Sequence, residues 1–202
     1  TKNPEEKPYF LTNQSAGSFN TFKHSFEAGT GKFLNNLLSV SARYSIINSD
    51  GYIDRAFSKL NSYNINALFE KGNTKLRFLT FGGKEKTYQA WNGIDKATYE
   101  SNPKFNYSGA IYDANWENII GFYDNETDNY RQNHYHLLWE QKLGKIWNLE
   151  TTFHLTHGEG YYENYKQDAK FSKYDLPNIV ENGNTITRTD FIRKKWLDND
   201  FY

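Results

Sequence analysis

Apolar and polar residues change places at every step between Leu38 and Ile46. Leu38, Val40, Ala42, Tyr44 and Ile46 fall on one side of an extended chain, and Ser39, Ser41, Arg43 and Ser45 on the other. A period of two held over that length describes a strand with one apolar and one polar face. The pattern recurs along the chain. Residues 20–28 set Phe22, Phe26 and Ala28 against Thr21, Lys23, Ser25 and Glu27, with His24 the polar exception on the apolar side. Tyr63, Ile65, Ala67 and Phe69 alternate with Asn64, Asn66 and Glu70. Further on, Tyr135, Leu137 and Trp139 oppose His134, His136 and Glu140, and Trp147, Leu149, Phe153 and Leu155 oppose Asn148, Glu150 and His154.

Short reversals containing glycine join these strands in pairs: Gly29-Thr30-Gly31, Gly72-Asn73 and Gly144-Lys145 are the expected hairpin turns. The remaining connections are long, spanning about residues 48–60, 82–129 and 158–185. Structureless loops beyond ~12–15 residues are uncommon in compact soluble domains. Short turns at one rim and long loops at the other are the habit of outer-membrane barrels. The expected fold is therefore all-β: antiparallel up-and-down strands, part of a large outer-membrane β-barrel. A soluble sandwich or lipocalin-like barrel is the alternative.

Composition agrees with that reading. Only 37% of residues are hydrophobic while 18% are aromatic, so aromatic rings carry much of the apolar surface, as in strands and membrane girdles. A mean hydropathy of −0.87 is compatible with a membrane barrel, because only alternate residues meet lipid. No window approaches the ~18 consecutive apolar residues of a spanning helix, so a crossing must be made by strands. The 24 basic and 24 acidic residues cancel, removing the electrostatic footprint of a nucleic-acid binder. Absence of Cys excludes disulfides and thiolate chemistry, and absence of Met leads us to expect a piece of a longer chain with no signal peptide of its own.

Motifs for chemistry are sparse. Ala28-Gly29-Thr30-Gly31-Lys32 hints at a phosphate loop, but Phe26 and Phe33 stand where that motif needs Gly and Ser or Thr. His134 and His136 share a strand face and could share a metal, yet no third ligand is evident, and they read as polar lumen residues. His154 and His157 fall on opposite faces. The acidic runs at 124–128 and 198–200 lack calcium-loop spacing and read as solvated loop residues. There is no nucleophile elbow and no zincin helix, so no catalytic residue, metal or cofactor is expected, and no enzyme. The loop aromatics Tyr52, Tyr88, Trp91, Tyr161, Tyr162 and Tyr165 sit among polar neighbours. Such rings either line a ligand vestibule or pack the loops together. Arg55, Lys84 and Lys86 add positive charge, which Glu85 offsets.

Four blocks carry a resemblance: Ser49-Asp-Gly-Tyr-Ile-Asp-Arg55, Phe81-Gly-Gly-Lys-Glu-Lys-Thr-Tyr-Gln-Ala-Trp-Asn-Gly93, Phe122-Tyr-Asp-Asn-Glu-Thr-Asp-Asn-Tyr130 and Ile192-Arg-Lys-Lys-Trp-Leu-Asp-Asn-Asp-Phe-Tyr202. Together they resemble segments of TonB-dependent outer-membrane receptors, over roughly Ser18 to the end. The resemblance implies a barrel of about 22 strands with a plugged lumen. It also implies active uptake of a scarce nutrient such as a ferric siderophore, haem or cobalamin. No block resembles the plug domain or the energy-coupling box. Residues 1–202 would then be a single partial barrel segment of about seven strands. Its partners would be the nutrient ligand, the remaining barrel and plug, outer-membrane lipid and, through the plug, the TonB complex. The second reading is a soluble or surface-attached β-rich ligand-binding module, and a passive porin is the third.

Overall fold

A computed structural model describes residues 3–202. Eight long strands form one antiparallel sheet: β1 (Pro8–Gly17), β2 (Thr21–Phe33), β3 (Leu38–Ser49), β4 (Ser58–Lys71), β5 (Thr74–Tyr88), β8 (Thr127–Leu143), β9 (Trp147–Lys170) and β12 (Arg188–Phe201). Each pairs with the next in chain order, so the sheet is an up-and-down meander, and it does not close on itself. The connection from β5 to β8 carries helix α1 (Lys96–Ser101) and a small hairpin, β6 (Ala110–Tyr112) with β7 (Ile119–Phe122). The connection from β9 to β12 carries a 3-10 turn and a second hairpin, β10 (Ile179–Glu181) with β11 (Asn184–Ile186). That hairpin turns on Asn182-Gly183, both with positive φ, as a two-residue primed turn demands.

The all-β expectation holds, and two of its details change. Gly29-Thr30-Gly31 is not a turn: β2 runs through it to Phe33, and the chain reverses at residues 34–37, where Leu34, Asn35 and Asn36 adopt positive φ. The glycines serve another purpose. Gly31, at φ +65, sits in a bulge between Gly29 and Lys32, and the ring of Tyr9 lies against Gly29, where a Cβ would collide with it. The long connections are also shorter than expected, at residues 50–57, 89–126 and 171–187, because β5, β8 and β9 keep pairing well past the alternating segments. Above those segments both faces are polar, so the sequence period fades while the backbone ladder continues. The main sheet has eight strands among the described residues, since β1 adds one before the expected first strand.

Register places side chains on faces. One rung joins Val40, Ala67, Phe78, Leu137 and Phe153, and its neighbours join Leu38, Phe69, Leu76 and Trp139 below and Ala42, Ile65, Tyr135 and Leu155 above. This apolar face stays uncovered: Phe78 is 43% and Phe153 60% exposed. The other face is largely polar, although Leu68 and Leu79, 3% and 6% exposed, are buried on it. Ser25, Ser39, Ser45, Asn66 and Arg77 are buried there, and Lys75 pairs with Glu140 at 3.3 Å. Arg43, Glu140 and Glu150 share it.

The upper border of the apolar belt is not parallel to the rungs. It lies at Phe22 on β2, Ile46 on β3, Tyr63 on β4, Tyr135 on β8 and Leu155 on β9. Ile46 is paired to the level of Glu159, whereas Leu155 is paired to that of Ala42. From β3 to β9 the border thus falls by four residues, ~13 Å, across four strand spacings, about 19 Å. The lower border falls in the same way, from Leu38 on β3 to Trp147 on β9. A level slab crossing such strands requires them to tilt by roughly 35°, within the ~35–45° range of membrane barrels.

Candidate functional site

Above the belt, β5, β8 and β9 carry a buried polar network that holds the 89–126 connection in place. Tyr88 is 4% exposed, and its hydroxyl shares its one proton between the carbonyls of Tyr123, at 2.7 Å, and Ser108, at 3.0 Å. Gln89 donates to the Glu163 carbonyl at 2.9 Å, and Asn106 to the Gln89 carbonyl at 2.9 Å. Glu126 accepts from the Tyr165 backbone N–H at 2.9 Å and from Asn164 at 3.2 Å. Glu163, only 2% exposed, accepts from Tyr123 and Asn125 and faces Lys194 at 3.1 Å. Burial raises the pKa of the Glu163 carboxyl, but the hydrogen bonds from Tyr123, Asn125 and Lys194 outweigh it and hold the group below its ordinary value. Burial and the same carboxylate push the Tyr123 phenol up to about 12. The 124–128 run is therefore not simply a solvated loop: Glu126 and Thr127 are buried, at 8% and 0% exposure, because the network consumes their polar atoms.

The seven candidate ligand residues separate into distinct places. Arg55 stacks its guanidinium 3.5 Å over Phe122, lies 5.8 Å from Tyr88 and donates to the Asn106 carbonyl, so Arg55 and Tyr88 help to build the loop's interior. Tyr52 meets Phe19 edge-on at 5.6 Å, with Lys104 at 5.3 Å from its ring. Tyr161, Tyr162 and Tyr165 all lie on β9 rather than in a loop. Tyr165 donates to Asp190 at 2.5 Å and stacks on Tyr123. Trp91, 61% exposed, meets Tyr162 edge-on at 5.7 Å. Tyr161 contacts Trp196 at 4.6 Å with Lys194 over its ring at 4.9 Å. Alternation puts Tyr161 and Tyr162 on opposite faces, so they do not form one surface.

Strand pairing gathers residues that the linear reading kept apart. On the polar face, a recess of about 450 Å³ is lined by Ser62, Phe81, Gly83, Glu85, Tyr130 and His134. A second, of about 420 Å³, shares Glu85 and Tyr130 and adds Asp128, Tyr162, Lys195 and Leu197. Gly158 and Gly160 let the Tyr130 ring lie against the β9 backbone, where a Cβ at either would collide with it. Burial raises the Glu85 pKa, and the charge of Asp128 raises it further. Tyr130 was expected at the start of a strand and Lys195 only within a block of resemblance, and the register is what brings them to one recess.

Deeper on the same face, at the level of the apolar belt, His134, His136 and His154 come together. His136 and His154 are direct cross-strand partners, with rings 4.6 Å apart and edge-on. The expected two-residue turn at Gly144-Lys145 would have paired His136 with Phe153; the observed turn takes in residues 144–146, and that one extra residue brings His136 opposite His154.

No family model matches the sequence, and no curated protein does. The fold is similar to that of a solved structure, the ferric-catecholate import receptor Fiu from Escherichia coli K12 in its closed form, with a TM-score of 0.60 and 11% identity. The likeness covers 99% of this chain and 28% of that receptor, so the chain spans about a quarter of the receptor's length and shares with it the fold of an antiparallel, barrel-like sheet.

Proposed function

We propose that this chain forms part of the wall of a TonB-dependent outer-membrane receptor that actively takes up a scarce nutrient, of ferric siderophore, haem or cobalamin type. The observation that carries the reading is the apolar belt. Its borders cross the hydrogen-bond rungs at the angle that tilted strands in a bilayer require, and a soluble sheet has no reason to show that skew. Similarity of fold to a ferric-catecholate receptor supports the same reading and favours an anionic, aromatic ligand.

In this reading the polar face lines the lumen, the short turns at 34–37, 72–73 and 144–146 face the periplasm, and the network-held 89–126 connection faces outward. A catecholate complex presents flat rings and negative charge. Trp91 and Tyr162, with Arg193 at 5.7 Å and Lys195 at 5.8 Å from the Tyr162 ring, offer stacking surface and cations together. The recess around Tyr130 would continue that surface into the lumen. A plug and further strands would complete the receptor, and energy would arrive from TonB through that plug.

The test is made on the full-length protein. Outer-membrane fractionation should recover it as a heat-modifiable, detergent-dependent species, and uptake of a ferric catecholate should stop in cells lacking TonB. Recovery as a stable monomer in detergent-free water would overturn the reading and favour the β-rich binding module.

A further inference from the structure

We propose that His134, His136 and His154 form a binding site for one divalent transition-metal ion of the zinc, copper or nickel class, on the polar face of the β8–β9 hairpin. All three side chains project from that face, and a ligand nitrogen of each lies within 4.8 Å of those of the other two. Three points at that largest separation share a centre about 2.8 Å from each, against the ~2.0–2.1 Å of a zinc–imidazole bond, so each nitrogen needs to approach by less than about 1 Å. Ring rotation supplies a movement of that size without disturbing the strands.

The surroundings favour a ligand over a simple histidine pack. The Nε2 of His136 is buried and has no hydrogen-bond partner among the described residues. Buried imidazole nitrogens in folded proteins are normally paired, and an ion would satisfy this one. Thr156 Oγ1 stands 2.8 Å from both His134 Nδ1 and His154 Nε2. With an ion on the other nitrogen of each ring, His134 Nδ1 and His154 Nε2 both carry protons and both donate to Thr156 Oγ1, which has two lone pairs to accept them. Thr156 thereby steadies both rings in the tautomers that ligation needs, as outer partners of metal-bound histidines do. Phe81 stacks on His134 at 4.5 Å and covers one side of the group.

The ion's class follows from the donors. No carboxylate belongs to the group, and Arg77 projects from the same face on the adjoining β5, so hard, oxygen-seeking calcium or magnesium is disfavoured. Neutral imidazoles suit zinc, copper and nickel. His154 is exposed, which leaves at least one coordination position open to water or an incoming ligand. A second described group, His157 with Asp198 and Asp200, lies on the opposite face and serves as the internal control.

The experiment is Cu²⁺ and Zn²⁺ titration of the full-length protein in detergent, by calorimetry, with electron paramagnetic resonance of the copper form. The expected result is one saturable equivalent with hyperfine coupling to three imidazole nitrogens. His154→Gln and His136→Gln should each weaken binding at least about tenfold and reduce the coupling to two nitrogens. His157→Ala should leave affinity and spectrum unchanged. Heat-modifiable migration confirms that each variant is folded. Absence of saturable binding, unchanged affinity in the two Gln variants, or loss of binding in His157→Ala would each overturn the proposal.

Discussion

The skew of the apolar belt makes a prediction that no parallel-sided belt would make. On β3 the belt runs from Leu38 to Ile46 and is centred on Ala42; on β9 it runs from Trp147 to Leu155 and is centred on Thr151. Ala42 is nevertheless paired to the level of Leu155, at the border on β9, while Thr151 is paired to that of Leu38, at the border on β3. Leu155 lies four residues from Thr151, ~13 Å along the strand and about 11 Å in depth at the inferred tilt. That is nearly half of a ~25 Å apolar band. Lysine at Ala42 or Thr151, each compared with alanine at the same position, should therefore destabilise by ~2–4 kcal/mol. Lysine at Leu155, again against alanine, should cost only about 0–1 kcal/mol. Ser41→Lys, on the polar face, should cost little. Reversible urea unfolding of the full-length protein in lipid vesicles measures all four. If Ala42 and Leu155 prove equally sensitive and Thr151 tolerant, depth follows the rungs and the tilt argument fails. Equal tolerance at Ser41 and Ala42 would refute the lipid-facing assignment itself.

Other outcomes follow from the same geometry. Glu163 has a depressed pKa in the folded state, so its contribution is present above the ordinary carboxylate value of 4.5 and is lost as pH falls through the lower folded value. Acid should thus release the 89–126 connection first, seen as faster amide exchange there than in β3, and Glu163→Gln should make exchange fast at neutral pH. The hydrogen bond to Asp200 at 2.8 Å and the charges of Asp200, Asp198 and Glu159 favour the protonated form of His157, which should titrate above 6.5 by nuclear magnetic resonance. Its raised value means that the stabilisation is complete below the unfolded pKa and is lost as pH rises through the folded one; Asp200→Asn should bring the titration back down. Trp91→Ala should weaken ferric-catecholate binding, measured by fluorescence quenching, in a protein that still resists surface protease. Tyr161→Ala tests whether the ring against Trp196 and Lys194 takes part; unchanged affinity in both variants would leave these aromatics a structural role.

Period-two alternation was sufficient to determine β2 to β5, β8 and the lower part of β9, because there one face meets an apolar medium and the other a polar one; β1 escaped it, since Phe10, Thr12, Gln14 and Ala16 on one of its faces do not form an apolar series. Gly72-Asn73 and Gly144-Lys145 were legible as turns because their backbone needs positive φ at Gly72 and Gly144. Gly29 and Gly31 carry the same letters for a different reason, a ring contact with Tyr9 and a bulge, which no local rule separates from a turn. Above the belt the alternation carries no information, since both faces are polar, and only the continuing backbone ladder shows that β9 reaches Lys170. The network of Tyr88, Gln89, Asn106, Glu126 and Glu163 joins residues as much as 75 positions apart, as between Gln89 and Asn164. So too for the histidines: His134 and His136 share a face by sequence, but their meeting with His154 depends on a register fixed by the turn. Hydrogen-bond pairing between strands, which sequence period alone does not encode, decided which of these polar side chains became neighbours.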